Sequence, residues 1–380
     1  MNNVIKSFYA GYLSIFNTLL FLFARVFGLG GSFDGIKVVC VHRVGQIGDL
    51  FCALPALSLI KEQYPKSHLI LLTSPGKNNN QSLVNFLNSL PYIDEVLTYA
   101  NNSNELSKLY KNLQKKKIDL WISLPQDRTT FFRELRNIVF ARLVGARSGI
   151  GFVINTAPWF EKLQAGAVIQ LQESERLLAI VKDRNNSVRL EDHKEYENDL
   201  GISKIELDLN LPAASKVMVL APGSNRDTNR WPIESFSEVA KRWISTGGAV
   251  ILIGGAKDIE LGSEISKKCD SSALFDMTGK LSISQTLEAM RLATIFVGND
   301  SGPMHMAAAV GLHCVVAFSA RDYPLKWYPM WADHSIVRKD VQCSPCLSES
   351  CQNENLCLKQ ISVDEIWNNV QKYTNQNNDT

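Results

Sequence analysis

A lone carboxylate in a glycine-bearing loop is the first feature suited to chemistry. The segment VHRVGQIGDL, residues 41–50, places Gly45, Gly48 and Asp49 between a predicted strand and a predicted helix. Ligands of open α/β sheets bind at such junctions, and the helix dipole favours an ionised carboxylate there. Asp49 therefore suits a general base, although a helix cap is the ordinary role of a carboxylate at this position.

A second polar loop combines hydroxyl, amide and guanidinium groups. The segment APGSNRDTNRWP, residues 221–232, carries Ser224, Arg226 and Arg230 between a predicted strand and a predicted helix. Because guanidinium groups pair with phosphate oxygens, both arginines are candidate ligands of a pyrophosphate. The alternative is a solvated loop with Trp231 buried at the domain edge.

A third junction joins a strand to a helix of small residues. In VGNDSGPMHMAAA, residues 297–309, free N–H groups at Ser301 and Gly302 and the Ser301 hydroxyl predict an anion site. Asp300 is better suited to holding sugar hydroxyls than to contacting a phosphate. His305 is either part of this site or a buried core histidine.

Alternating strands and helices must position these loops. The run IKVVCV, residues 36–41, predicts a buried strand, and a helix over 50–64 and a strand over 68–73 follow it. Such a unit joins parallel strands by a right-handed connection. The other predicted strands are 95–99, 120–124, 217–221, 249–253, 295–297 and 314–318, and the other predicted helices are 236–246, 284–292 and 304–310. The predicted fold class is α/β, with two doubly wound Rossmann-like domains facing each other across a cleft.

The N-terminal segment is unusually apolar. Residues 7–24 carry no charge, and Lys6 and Arg25 bracket them. On a helix, a thin polar stripe would interrupt an apolar surface, which is typical of a helix lying in a membrane interface. The stripe consists of Ser7, Gly11, Ser14, Thr18 and Arg25. A tilted span, which needs about 20 residues, and a helix packed on the protein's own surface are the alternatives.

The overall composition excludes some classes of protein. A formal net charge of +2 on 380 residues argues against a nucleic-acid binder that depends on bulk positive charge. The eight cysteines do not form a small disulfide scaffold, so a reducing compartment is favoured.

Four of these cysteines crowd near the C-terminus with the spacing C-x₂-C-x₄-C-x₅-C. They are Cys343, Cys346, Cys351 and Cys357. The spacing is compatible with a structural zinc site, and reduced thiols without a metal are the alternative.

The three loops, in this order and separation, resemble glycosyltransferase family 9, the heptosyltransferases of lipopolysaccharide core synthesis and their relatives. The likeness rests on Gly48-Asp49 with LPAL at 54–57, Pro222-Gly223 with Arg230-Trp231-Pro232, and NDSGPMH at 299–305. It extends from about Lys37 to the C-terminal cysteines and leaves out only the N-terminal helix.

The resemblance implies a GT-B fold and an inverting transfer from a nucleotide sugar, typically ADP-heptose, that requires no metal or other cofactor. Asp49 would deprotonate the acceptor hydroxyl, and Ser301, Gly302 and the arginine loop would stabilise the diphosphate. Asp300 would bind the transferred sugar. The acceptor would be a lipid-linked glycan of the lipopolysaccharide core, and the protein would work at the cytoplasmic face of the inner membrane.

Composition and the pattern of elements divide the chain, and the resemblance assigns the roles of its two domains. Residues 1–34 would form an apolar N-terminal helix, a candidate membrane anchor, 35–200 the acceptor-binding domain, 211–345 the nucleotide-sugar-binding domain, and 346–380 a cysteine-containing tail and helix. The polar stretch 182–210 would connect the two domains.

Further residues complete the predicted sites. Gly48, Arg128 and Arg133 are predicted to bind an anionic acceptor, in a domain made locally basic by Arg136 and Arg147 as well. On the donor side, Asp258 or Glu260 either binds a ribose diol or caps a helix.

One position departs from the family pattern. Where the family commonly has a lysine two residues before the tryptophan of its Trp-Pro pair, this chain has Asn229. The departure motivates a second hypothesis, a catalytically weak or inactive relative that binds a nucleotide sugar or glycan. A dinucleotide-dependent oxidoreductase is a third, which the missing G-x-G-x-x-G disfavours.

Overall fold

The computed structural model describes residues 2–74, 81–98, 102–155, 171–182, 200–207, 209, 216–331 and 334–376. The chain divides into two compact units, Met1–Ile202 and Ser203–Thr380. Most of the predicted connection over 182–210 and the last residue of the strand predicted over 95–99 lie outside the described residues.

The first unit is a parallel sheet flanked by helices. Its strands are β1 (Val38–His42), β2 (His68–Thr73), β3 (Glu95–Thr98), β4 (Leu120–Ser123) and β5 (Ser148–Ile150). Its helices are α1 (Asn2–Val26), α2 (Ile47–Phe51), α3 (Leu54–Gln63), α4 (Gln81–Asn88), α5 (Ser103–Lys115), α6 (Phe131–Leu143) and α7 (Glu173–Lys182).

The strand order of this sheet is β3-β2-β1-β4-β5. The chain therefore leaves β1 toward one side of the sheet and resumes at β4 on the other, which makes the β1–β4 boundary a topological switch point. Ligands of doubly wound sheets bind outside the carboxyl ends of the strands at this boundary. The loop that carries Asp49 follows β1, and the loop that carries Arg128 follows β4.

The helix predicted over 50–64 is two helices. It is interrupted at Cys52 and Ala53, where α2 ends and α3 begins. Pro55 has no N–H to donate, and its ring would clash with the carbonyl of Phe51 in a continuous helix. The break leaves Asp49 on the short helix α2, close to the end of β1.

The second unit repeats this architecture. Its strands are β6 (Val217–Ala221), β7 (Ala249–Leu252), β8 (Leu274–Asp276), β9 (Ile295–Asn299), β10 (Cys314–Phe318) and β11 (Ser335–Arg338). Its α-helices are α8 (Ile233–Ser245), α9 (Ile259–Cys269), α10 (Ile283–Arg291), α11 (Gly302–Ala309), α12 (Leu356–Lys359) and α13 (Val363–Gln376).

The sheet of the second unit is also parallel, in the order β11-β10-β9-β6-β7-β8. Its switch point lies between β6 and β9. The second and third polar loops of the sequence follow β6 and β9, so both emerge beside this switch point.

The helix α1 packs along α6 of the first unit. Leu20 and Ala24 are buried in the apolar cluster that also contains Trp121 of β4. Four residues of the predicted polar stripe, Gly11, Ser14, Thr18 and Arg25, are exposed, beside exposed apolar residues. The segment Phe8–Val26, with a mean hydropathy of 1.3, is long and apolar enough to cross a membrane.

Candidate functional site

The Asp49 carboxylate closes the first turn of α2. Its Oδ2 accepts a hydrogen bond from the backbone N–H of Gln46 at 2.8 Å, so the predicted capping role is present. The side chain keeps 23% of its surface exposed. Gly45 makes this arrangement possible, because a Cβ at that position would lie 2.3 Å from the Asp49 Cβ.

A buried arginine holds the other side of the same turn. The Arg43 guanidinium is fully buried, and its Nη2 donates to the Asp49 carbonyl oxygen at 3.1 Å and lies 3.7 Å from Asp49 Oδ1. Its Nη1 donates to the Pro125 carbonyl oxygen at 2.9 Å. Arg43 therefore connects the loop after β1 with the loop after β4.

The charge of Arg43 is balanced inside the first unit. Glu173 Oε1 accepts from Arg43 Nη2 at 3.0 Å and from Arg176 Nη2 at 2.7 Å. Arg176 also donates to the Pro125 carbonyl oxygen at 2.7 Å. Burial lowers the pKa of the Arg176 guanidinium, but Glu173, together with Asp127 and Glu134, raises it further than burial lowers it, so the pKa lies above its usual value. No local sequence pattern indicates this network, since Arg43 and Glu173 are 130 residues apart.

The predicted acceptor residues follow β4 at the same edge of the sheet. Arg128 adopts a left-handed backbone with φ of 58°, and Arg133 is exposed in the first turn of α6. Arg147, by contrast, directly precedes β5, and its Nη1 is 3.2 Å from Asp119 Oδ1, just before β4. It therefore lies at the amino edge of the sheet, opposite the loop that carries Asp49.

The two polar loops of the second unit are joined across its switch point. Asn299 Oδ1 accepts from the Trp231 N–H at 2.9 Å, and Asn299 Nδ2 donates to the Pro222 carbonyl oxygen at 2.7 Å. Asn229 Nδ2 donates to Asp300, at 3.0 Å to the main-chain oxygen and 2.9 Å to Oδ2. The loop after β6 is thus fixed to the loop after β9.

Burial changes the acidity of Asp300. It raises the pKa of this carboxyl to about 7. The neighbouring Asp322 carboxylate raises it as well, whereas Arg321, Arg226 and the Asn229 amide lower it. A carboxyl that is partly protonated near neutral pH can both donate and accept hydrogen bonds, which suits the hydroxyls of a sugar.

The two loop arginines already have partners. Arg230 Nε and Nη2 donate to the Ser224 carbonyl oxygen at 2.9 and 2.7 Å, and its Nη1 is 2.8 Å from Asp227 Oδ1. Arg226 Nε lies 3.0 Å from Glu349 Oε2 near the surface. Arg230 therefore fixes the shape of its own loop, and a diphosphate would have to compete with these carboxylates.

The start of α11 leaves backbone donors available. Ser301 is its N-cap, but its hydroxyl donates to the Asn299 carbonyl oxygen at 3.3 Å and does not cap the helix. Since the backbone N–H groups of a first turn lack helical partners, the helix end can receive an anion. His305 is buried within α11.

Asp258 lies at the carboxyl end of β7 and acts as a cap. Its Oδ2 accepts from the Gly255 N–H at 2.8 Å. A Cβ at Gly223 would lie 2.3 Å from Asp258 Oδ1, so the Pro222-Gly223 turn needs glycine in order to pass this carboxylate. Glu260, two residues further, is exposed.

Two charged residues at this edge escaped the sequence analysis. Arg321 and Asp322 are buried in the loop after β10, three and four residues beyond its end, and Arg321 Nη1 lies 3.6 Å from Asp322 Oδ2. A search for charged residues within a few positions of each strand end would have found them. Their charges act on the Asp300 carboxyl.

The cysteine cluster is not assembled as a metal site. Cys343 and Cys346 are exposed, whereas Cys351 and Cys357 are half-buried. Cys351 Sγ accepts from the Asn355 N–H at 3.2 Å. Across the part of the chain that the structure describes, no group of three or more histidine, cysteine or acidic residues has the arrangement of a metal site. The predicted structural zinc is therefore not supported by this arrangement.

Two doubly wound sheets, each with polar loops at its switch point, define a protein of the GT-B class. The glycosyltransferase family 9 (heptosyltransferase) profile matches residues 107–357. The chain belongs to this family of glycosyltransferase enzymes, as its three motifs predict.

Individual relatives agree with this assignment. The lipooligosaccharide heptosyltransferase 2 of Campylobacter jejuni is 23% identical over 336 residues, which cover 86% of this chain and 95% of the relative. A solved family 9 glycosyl transferase from Veillonella parvula has a TM-score of 0.69 and 18% identity, with 91% of this chain and 99% of that chain covered. The E. coli heptosyltransferase WaaC, solved with ADP, has a TM-score of 0.63 and 16% identity, with 89% and 100% covered.

Proposed function

We propose that the protein transfers heptose from ADP-heptose to a lipid-linked glycan acceptor of the lipopolysaccharide core, with inversion and without a metal. The observation that carries the proposal is the pair of switch-point sites: a partly exposed carboxylate in the first unit, and Asp300 beside the start of α11 in the second. The relatives named heptosyltransferases, and the neighbour solved with ADP, support the choice of donor.

In the proposed reaction the acceptor hydroxyl gives its proton to Asp49 while its oxygen attacks the anomeric carbon of heptose. The bond from that carbon to the β-phosphate oxygen breaks, and its electrons stay on the diphosphate, which leaves as ADP. Attack from the face opposite the leaving group inverts the anomeric configuration. Asp49 is suited to this task because the Gln46 N–H and Arg43 fix its orientation while part of its surface stays exposed.

The second unit would bind the donor. Free N–H groups at the start of α11 would receive the diphosphate as its charge grows, and Ser301 and Gly302 are the residues nearest that end. Asp300 would bind hydroxyls of the transferred heptose. Asp258 remains a candidate for the ribose diol only if it gives up its bond to the Gly255 N–H.

The first unit would bind the acceptor, with Gly48, Arg128 and Arg133 at the edge that carries Asp49. Guanidinium groups suit the phosphorylated, anionic sugars of such an acceptor. Because the acceptor is attached to lipid, the protein would work at the cytoplasmic face of the inner membrane, with α1 as its membrane contact.

A transfer assay tests the proposal. The full chain is incubated with ADP-heptose and a purified core acceptor, and the ADP released and the glycosylated product are measured with and without a chelator. We expect product whose new linkage has the inverted anomeric configuration by NMR, at a rate that the chelator does not change. Retention of configuration, or loss of rate that added metal restores, would contradict the proposed mechanism.

The uncharged Asn229 supports one alternative, a relative that binds the donor without turnover. The same assay separates the two, because a binding protein would be stabilised by ADP against unfolding yet release no ADP from ADP-heptose. UDP-sugars serve as the control for donor choice.

A further inference from the structure

The helix α1 is fixed to the first unit along one face. Asn17 Nδ2 donates to the Ile154 carbonyl oxygen at 3.1 Å, and Asn17 Oδ1 accepts from the Ile154 N–H at 2.8 Å. Phe131 of α6 packs edge-on against Phe16, with ring centroids 5.3 Å apart. Leu20 on the same face is completely buried. One face of α1 therefore already packs against the first unit.

The opposite face of α1 is exposed and mostly apolar, with the uncharged stripe residues Gly11, Ser14 and Thr18 beside its apolar side chains. Phe8, Ile15 and Leu22 lie along it, and Ile15 exposes 61% of its surface. A helix on the surface of a soluble protein ordinarily turns charged residues to water, but residues 7–24 contain none. The apolar surface continues onto α6, where Phe132 is 79% exposed. We call the outer face of α1 together with Phe132 and Leu143 the α1–α6 surface.

Arginines border the α1–α6 surface. Arg133, Arg136 and Arg142 are exposed on α6, and Arg25 is exposed in the last turn of α1. The lone carboxylate of α6, Glu134, is buried and accepts a 2.6 Å hydrogen bond from Thr129 Oγ1. An apolar face bordered by cations fits the acyl chains and anionic headgroups of a lipid leaflet.

The geometry points to a helix that lies in the membrane plane. We propose that the α1–α6 surface inserts into one leaflet of an anionic bilayer and that α1 does not cross it. A spanning α1 would leave α6, break both hydrogen bonds of Asn17 and carry that amide into hydrocarbon, where unpaired polar groups are costly. The proposal rests on the membrane association proposed above but not on the transfer chemistry.

This orientation has a consequence for the acceptor. The helix α6 begins after β4, at the edge of the sheet that carries Asp49, and Phe132 lies in its first turn. Tyr9 of α1 donates to the Asn155 carbonyl oxygen, beyond the carboxyl end of β5. Both helices therefore bring the lipid-facing surface to the edge where a lipid-linked acceptor is proposed to bind.

Flotation with vesicles tests the surface. The full chain and the variants Ile15→Ser/Leu22→Ser and Phe132→Ser are mixed with phosphatidylcholine vesicles with or without phosphatidylglycerol. We expect wild type to float with the anionic vesicles. The α1 double variant should bind them about tenfold or more weakly, since each change removes an apolar side chain that would insert into the bilayer.

The matched control is Ile259→Ser, which changes an exposed apolar residue of the second unit and should float as wild type does. The proposal would be overturned if both α1–α6 variants floated as wild type does, or if Ile259→Ser lost as much vesicle binding as they do.

Protease protection tests the orientation. A cleavable tag placed before residue 1 should remain accessible when the protein is added to sealed vesicles, and protection of the tag would show a spanning helix. Variants that no longer float should still release ADP at the wild-type rate with a water-soluble acceptor. This control distinguishes loss of membrane binding from loss of the proposed transfer activity.

Discussion

Asn229 and Asp300 form a buried side-chain contact between the two donor-side loops. Both side chains are buried, and Asn229 Nδ2 donates to Asp300 Oδ2 at 2.9 Å. Among the described residues, Asn229 Oδ1 has no hydrogen-bond partner. A neutral amide thus stands where the family commonly has a lysine, and it stabilises the Asp300 carboxylate by a hydrogen bond without supplying a charge.

Replacing this amide with the family's residue should strengthen donor binding. In Asn229→Lys an ammonium group would lie beside Asp300 and close to the proposed diphosphate site. One added charge-assisted contact is worth about 1.5–3 kcal/mol, so ADP should bind about tenfold more tightly or better by calorimetry. Asn229→Ala, which removes the contact without adding charge, is the control. Unchanged or weaker ADP binding in Asn229→Lys would show that this position does not reach the donor.

The stability of the second unit should depend on Asp300 protonation. Its folded-state pKa of about 7 lies above the unfolded value of 3.8, so the folded protein binds the extra proton between these values. The contribution of this proton to the free energy of unfolding is fully present below about pH 4 and is lost as the pH rises through 7. Between these values the free energy of unfolding falls by at most about 1.4 kcal/mol per pH unit.

Urea denaturation at a series of pH values measures this effect. Wild type should lose unfolding free energy as the pH rises from 4 to 7, and Asp300→Asn should lose less. Parallel pH profiles for the two proteins would contradict the assigned protonation of Asp300.

Breaking the buried ion pair of the first unit should be costly. Arg43→Met leaves the Glu173–Arg176 pair in place but removes the Arg43 donor from the Glu173 carboxylate and from the Asp49 and Pro125 carbonyl oxygens. Because the loss of a buried hydrogen-bond partner costs about 1–3 kcal/mol, we expect a loss in that range. Arg147→Met is the matched control, because the Arg147 side chain is 77% exposed and its pair with Asp119 should contribute less than about 1 kcal/mol. Chemical denaturation of the three proteins gives the comparison, and equal costs would mean that Arg43 is not the structural connection described above.

A methyl group at Gly45 should displace Asp49. Because the added Cβ would lie 2.3 Å from the Asp49 Cβ, Gly45→Ala must shift the first turn of α2. We expect the transfer rate to fall about 10²-fold or more, as for a misplaced base. Gly11→Ala, where a Cβ meets nothing within 4 Å, should leave the rate unchanged. A Gly45→Ala enzyme with the wild-type rate would argue against Asp49 as the base.

Local sequence patterns placed the described ends of the predicted strands to within two residues because short β-branched runs stop at polar loops; β9, predicted over 295–297, extends to Asn299. The β10 strand has the predicted bounds, and the loops after β1, β6 and β9 carry the predicted groups. The break between α2 and α3 could have been predicted from Pro55 alone, but the single helix predicted over 50–64 runs through it.

Contacts distant in sequence were not predictable in this way. Asn229 and Asp300 are 71 residues apart, and no local pattern shows that an amide will meet a carboxyl across a switch point. The outward face of α1 was likewise not predictable: the sequence shows an apolar helix with a polar stripe, but only packing on α6 decides which side is exposed.

The most direct test is single-turnover transfer by Asp49→Asn, measured together with ADP affinity. The amide keeps the size of the side chain but cannot take a proton from the acceptor hydroxyl. We predict a rate lowered about 10²–10⁴-fold with ADP affinity close to that of wild type. A rate near wild type would remove Asp49 from the mechanism, and the proposed transfer would then need another base.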